Sequence, residues 1–200
     1  MRMIRVDEPR LESDLNYRFD YLAGFMGFTE ADIAAIHAAG PLLAPKVPYL
    51  VDAVYAQLRK QDATWRHFLP PQEGYAGRLA GSLAELEPNH EVIEFRKKHL
   101  ARYFTKLVTQ PYDQKLVTYL DFVGRIHTPH AGSEQVNVPL VQMNALMGFV
   151  ADALLTTVLE LGFEPARERA TLRAVNKLLW LQNDLINRHY QALPAASARN

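Results

Sequence analysis

The sequence predicts an all-α fold. Apolar residues recur at helical spacing along its whole length, and no segment sustains the period-two alternation of a half-buried strand. Glycine and proline cut the chain into pieces of helix length. There is no internal repeat and no inter-domain linker, so residues 1–200 are expected to form a single domain of about seven or eight helices. Residues 1–10 and 191–200 are expected to be irregular or frayed.

Leu15, Phe19, Leu22 and Phe25–Met26 mark an apolar stripe on a first helix over Leu11–Met26. Thr29, followed by Glu30 and Asp32, reads as an N-cap with acids in the first turn, where they favour the helix dipole. That helix carries Ile33 and Ile36 and is expected to stop near Ala39, at Gly40–Pro41. Val47, Val51, Val54 and Leu58 then repeat at four, three and four, with Tyr55 beside the stripe. Trp65 and Phe68 anchor a corner, and 71–89 is irregular apart from a short helix expected at Gly81–Leu86. His90–Thr109 follows with Ile93, Leu100, Phe104 and Leu107 inward. The next helix, Tyr112–His127, places Leu116, Leu120, Val123 and His127 on one face, apolar until its last member. Pro139 opens a helix to Leu161 so apolar that burial on more than one face is expected. The last helix spans Pro165–Tyr190.

Composition excludes several functions. Lysine plus arginine and aspartate plus glutamate balance at 22 each, so no charge excess recommends nucleic acid or an anionic membrane surface. Cysteine is absent, which removes disulfides, thiolate metal sites, iron–sulfur clusters and covalent CxxCH haem attachment. The charged start MRMIRVDEPRLESD lacks the apolar core of an export signal, and no run approaches the roughly 18 apolar residues of a membrane span. The expected location is the cytoplasm.

Seven histidines are candidates for chemistry. None forms an HExxH pair, and His127 and His130 are separated by a proline, so they need not share a face. No GxSxG elbow, GxGxxG loop or P-loop is present. Two readings of His127 stand side by side. One makes it a core histidine bonded to a carbonyl near a helix end, where its charge also suits the dipole. The other makes it the axial ligand of a haem iron, which needs a neutral imidazole, apolar walls and an open opposite side with few polar donors. Tyr55 is such a donor in the second reading and a tyrosine bonded to a carbonyl in the first.

The pieces FTEADIAAI, VPYLVDAVYAQL, PYDQKLVTYLDFVGRIH and NVP before a long apolar helix resemble, in order and spacing, the protoglobins and the sensor domains of globin-coupled sensors. The resemblance covers about Leu15–Tyr190. It implies a globin fold with an extra N-terminal helix and a non-covalent haem b. It puts the proximal histidine on His127 and the distal tyrosine on Tyr55, with Leu100 at a distal phenylalanine position and Phe149 at a phenylalanine of the following long helix. Val54, Tyr103, Phe104 and Val123 complete the expected cofactor-binding set. The chain departs from the family at Val54, where an aromatic is usual, at Leu100, which is smaller than phenylalanine, and in its shorter N-terminal segment. A roomier distal side is expected.

Three functions follow as expectations. The first is reversible binding of O2, CO or NO at a five-coordinate iron, as a carrier or single-domain gas sensor. The second is a haem redox enzyme, such as an NO dioxygenase or a peroxidase-like protein, against which the sequence offers no evident distal histidine–arginine pair. The third is a helical interaction module without cofactor. The last two helices carry more apolar surface than a pocket and core require, so a homodimer packed as a four-helix bundle is expected. The ten residues after Tyr190 leave no room for a methyl-accepting or cyclase domain, so signalling would need a separate partner, as electron supply would need a reductase, or the chain is a fragment of a longer sensor.

Overall fold

The computed structural model describes residues 3–191. Among them there is no strand. Nine α-helices follow in order: α1 (Glu8–Ser13), α2 (Leu15–Met26), α3 (Glu30–Leu43), α4 (Val47–Arg59), α5 (Asp62–Trp65), α6 (Glu91–Thr109), α7 (Gln114–Arg125), α8 (Leu140–Leu159) and α9 (Pro165–Asn187). Seven of them have twelve residues or more and carry the fold. The tail expected to fray beyond Gln191 lies outside the described residues.

Local chemistry sets most of the boundaries. Asp14 interrupts the first stretch: its carboxylate accepts from the Asn16 and Tyr17 N–H groups and opens α2, so one expected helix becomes two. Thr29 N–H donates to Asp32 at 2.8 Å and starts α3 where the sequence placed it. That helix then runs through Gly40 and Pro41 to Leu43 rather than stopping at Ala39. Gly40 is held by tertiary contact, since a Cβ there would lie 2.7 Å from the Val108 carbonyl oxygen of α6. The short helix expected at Gly81–Leu86 is a series of turns. Trp65 Nε1–H donates to the Leu86 carbonyl at 2.8 Å and fastens that irregular segment to the core.

α9 is the central element. It packs on α3, α7 and α8, while α4 packs on α6 and α8. Leu181 and Leu185 of α9, Ile36 of α3 and Leu120 of α7 are essentially removed from water. Two expectations about burial fail. Phe25 is 81 % exposed, because Leu15, Leu22 and Met26 already supply the inward stripe of α2. α8 is not buried all round: Val141 is 73 % and Leu159 52 % exposed within the chain. With mean hydropathy 1.3 over an 18-residue window of its twenty residues, α8 is long and apolar enough to cross a membrane by length and composition. Here it packs as a core helix, with Met143, Val150, Leu154 and Val158 buried.

α7 meets α9 at Gly124, where an added Cβ would lie 2.7 Å from Ile186 Cα and 2.9 Å from the Leu185 carbonyl oxygen. Both neighbours are backbone and cannot rotate away. Gly124→Ala is expected to cost about 1–3 kcal/mol and to lower Tm by roughly 2–12 °C. Gly24→Ala, where the new methyl meets nothing, is expected to hold or gain up to about 1 kcal/mol through helix propensity. Thermal unfolding of the two variants checks the contrast.

Candidate functional site

The apolar stripe of α7 ends where the helix does. Leu116 and Leu120 are buried, Arg125 is the last helical residue, and His127 stands in the turn just beyond. Its backbone is held twice, by its own N–H to the Gly124 carbonyl at 3.2 Å and by the Val138 N–H donating to its carbonyl at 2.9 Å. The ring is held as well. Nδ1–H donates to the Val123 carbonyl at 2.7 Å, so the proton is on Nδ1 and the lone pair is on Nε2. Among the described residues Nε2 makes no hydrogen bond.

His127 belongs to the wall of a cavity of about 200 Å³ that lies between α4, α6, α7 and α8. That exceeds the roughly 150 Å³ of an apolar cavity able to admit benzene. Val123 of α7 and His127 just beyond it line it, with Val54 and Tyr55 from α4 and Leu100, Tyr103 and Phe104 from α6. Phe149 is not among the lining residues. Met143, Leu146, Met147 and Val150 form the cavity face of α8, and Phe149 lies about 100° around the helix from the middle of that face. The family resemblance led to the right helix, but this side chain lies off its cavity face.

Tyr55 is positioned by aromatic packing. Its ring lies 6.5 Å from Trp65 and 5.6 Å from Phe68, centroid to centroid. Its hydroxyl faces the Arg96 guanidinium, whose charge and hydrogen bond pull it down, but burial wins and pushes it up to about 12. At neutral pH it keeps its proton and can donate.

The structure adds polar groups that the sequence reading missed. Arg96, His99 and His67 all line the cavity. An arginine–histidine pair on α6 therefore does share the cavity with Tyr55. Its signal was present. The inward residues Ile93 and Leu100 are seven apart, and the missing member of that stripe is Arg96, one turn before Leu100. His67 bonds Gln142 of α8 at 2.9 Å and has no sequence signature. His130 is exposed and outside the cavity.

Three buried polar atoms of the lining have no partner among the described residues: Arg96 Nε, the Tyr103 hydroxyl and Gln182 Oε1. Each such orphan costs about 1–3 kcal/mol unless something in the cavity meets it. No cluster of three or more histidine or carboxylate side chains able to hold a metal ion occurs among the described residues. A metal bound at His127 must therefore bring most of its own ligands, as a porphyrin does. One imidazole lone pair in an apolar chamber fits that group.

A helical chain with a chamber between α4, α6 and α7, closed by a histidine just past α7, is a globin. The comparisons define the class further. The protoglobin family model matches residues 15–193, and the chain belongs to that family. Among solved structures it is similar to the globin domain of a Geobacter sulfurreducens globin-coupled sensor, with a TM-score of 0.67 and 20% identity over 86% of this chain and 97% of that one. No curated protein matches the chain.

Burial, and next the Arg96 charge, lower the His127 imidazole to about 4 despite the bond to Val123. The residue keeps some accessible surface, which the cavity it lines accounts for. Unfolded, the ring titrates near its ordinary 6.5. Its contribution to stability is thus complete above pH 6.5 and is lost as pH falls through 6.5 towards 4. The full loss is on the order of 3 kcal/mol, reduced by whatever water enters the chamber. In the haem-free protein, denaturant midpoints are expected to fall over that window, and His127→Gln is expected to flatten the fall.

Proposed function

We propose that this protoglobin binds haem b non-covalently and reversibly takes up O2, CO or NO, acting in the cytoplasm as a gas carrier or single-domain sensor. The observation that carries this reading is the free, neutral Nε2 of His127 at the wall of an otherwise largely apolar chamber. When bound, the haem supplies an iron atom with a coordination position open to a diatomic gas.

The residues contribute the rest. The Val123 carbonyl holds the His127 ring in the tautomer that offers Nε2 to iron and increases its basicity as a ligand. Val54, Leu100, Phe104 and Val123 exclude water and give the porphyrin an apolar seat, and Tyr103 sits with them. Phe149 is left to support α8 from outside the chamber. Tyr55 presents its O–H to a ligand that gains negative charge on binding, so O2 benefits more than CO. One net hydrogen bond of about 1 kcal/mol slows release roughly fivefold.

A second reading, haem redox enzyme, gains support from the presence of Arg96 and His99 in the same cavity. Consumption of NO or peroxide with a supplied electron donor separates it from simple binding.

Purified protein mixed with haem is expected to develop a Soret band that His127→Ala loses or displaces. Tyr55→Phe is expected to raise the O2 off-rate about fivefold with little change in CO affinity. A wild type with no Soret band sinks the haem reading, and equal effects on both gases sink the role given to Tyr55.

We also propose a homodimer through α8 and α9. Val141 and Leu159 of α8 and Trp180 of α9 are more than half exposed within the chain, and Gly148 offers an open backbone between them where a second helix can approach closely. Sedimentation at micromolar concentration is expected to give twice the chain mass, and Val141→Glu with Trp180→Glu a helical monomer. A monomeric wild type refutes the interface.

A further inference from the structure

Arg96 has no role in the gas-binding reading above, and its setting is unusual. The residue lies on α6 one turn before Leu100 and contributes to the cavity wall. Its Nε is buried without a hydrogen-bond partner among the described residues. No carboxylate pairs with it there. The nearby acids are engaged elsewhere: Glu94 and Asp52 both hold Lys97, each at 3.1 Å. The guanidinium is close enough to depress both the Tyr55 hydroxyl and the His127 imidazole. A half-buried guanidinium with no carboxylate partner and one buried N–H unmet gains when an anion enters.

We infer that Arg96, with the Tyr55 hydroxyl beside it, forms a binding site for a small monovalent anion in the distal part of the chamber. The guanidinium donates charge-assisted hydrogen bonds, and Tyr55 adds a neutral one, with no acidic side chain in the lining to repel the guest. The site rests on the haem reading in one respect. The anion is held as a ligand over the iron, not as a carboxylate of the porphyrin rim. Both sources share the chemistry that Arg96 recognises, and they are separable.

The test uses the ferric haem-loaded protein and fluoride as the probe, a small anion whose retention depends on distal donors. Spectroscopic titration of wild type, Arg96→Leu and Arg96→Lys is run beside two controls, haem transfer to an acceptor globin and CO affinity of the ferrous form. Loss of one charge-assisted bond weakens fluoride roughly ten- to a hundredfold in Arg96→Leu. The expected result is that loss, partly restored by lysine, with haem transfer and CO binding within a few-fold of wild type. Faster haem loss at unchanged fluoride affinity assigns Arg96 to the porphyrin rim and overturns the inference. Unchanged fluoride affinity with unchanged haem loss overturns it too. A wild type without a Soret band defeats the haem reading itself and this site with it, whereas a normal Soret band with indifferent fluoride binding defeats this site alone. Circular dichroism and the lysine variant guard against misfolding of Arg96→Leu.

Discussion

The hydrogen bond from His127 Nδ1 to the Val123 carbonyl decides what the chamber can do. Without it the imidazole would choose its own tautomer, and either nitrogen could be capped by water or protein. With it, Nε2 is the only basic lone pair the ring offers, and burial keeps it unprotonated through the physiological range. The bond exists because His127 is one turn beyond Val123, at a helix end where carbonyls lack intrahelical partners. A structural commonplace of helix termination thereby fixes which ring nitrogen is left without a backbone partner.

Around that ring the chamber is asymmetric. α7 and α8 present mainly apolar side chains, whereas α4 and α6 bring Tyr55, Arg96 and His99 to the same space. Val54 and Leu100 line the same space as those polar chains. The orphaned Tyr103 hydroxyl and Arg96 Nε express the same point as unmet bonding capacity.

Much of this was legible in the sequence, for definite reasons. The stripes of α4, α6 and α7 have helical periodicity, so Tyr55, Leu100, Phe104, Val123 and His127 could be assigned to faces before any coordinates. The Thr29 cap was legible because capping is local chemistry. What failed depended on distant partners. α3 passes through Gly40 and Pro41 because Val108 packs against that glycine, information held sixty-odd residues downstream. Phe149 rested on the family resemblance alone, and the pattern offered no check on it because α8, apolar all round, has no polar face to say which side turns inward. Arg96 was overlooked because a charged residue in an apolar stripe reads as an outward one. Long arginine side chains obey the cavity, not the pattern.

Gly124 has a mechanical meaning beyond its packing. The turn that carries His127 starts at this residue, and its backbone touches the backbone of α9 at Leu185 and Ile186 with no side chain between them. Three residues before Gly124, Asp121 is gripped by Arg188 and His189 from the end of α9. The coupling has almost no backlash: rigid main chain bears on rigid main chain, and an ion pair prevents the two from separating. Side-chain rotation has no part in this contact, so the His127 turn and the C-terminal end of α9 are held in register there by main chain alone.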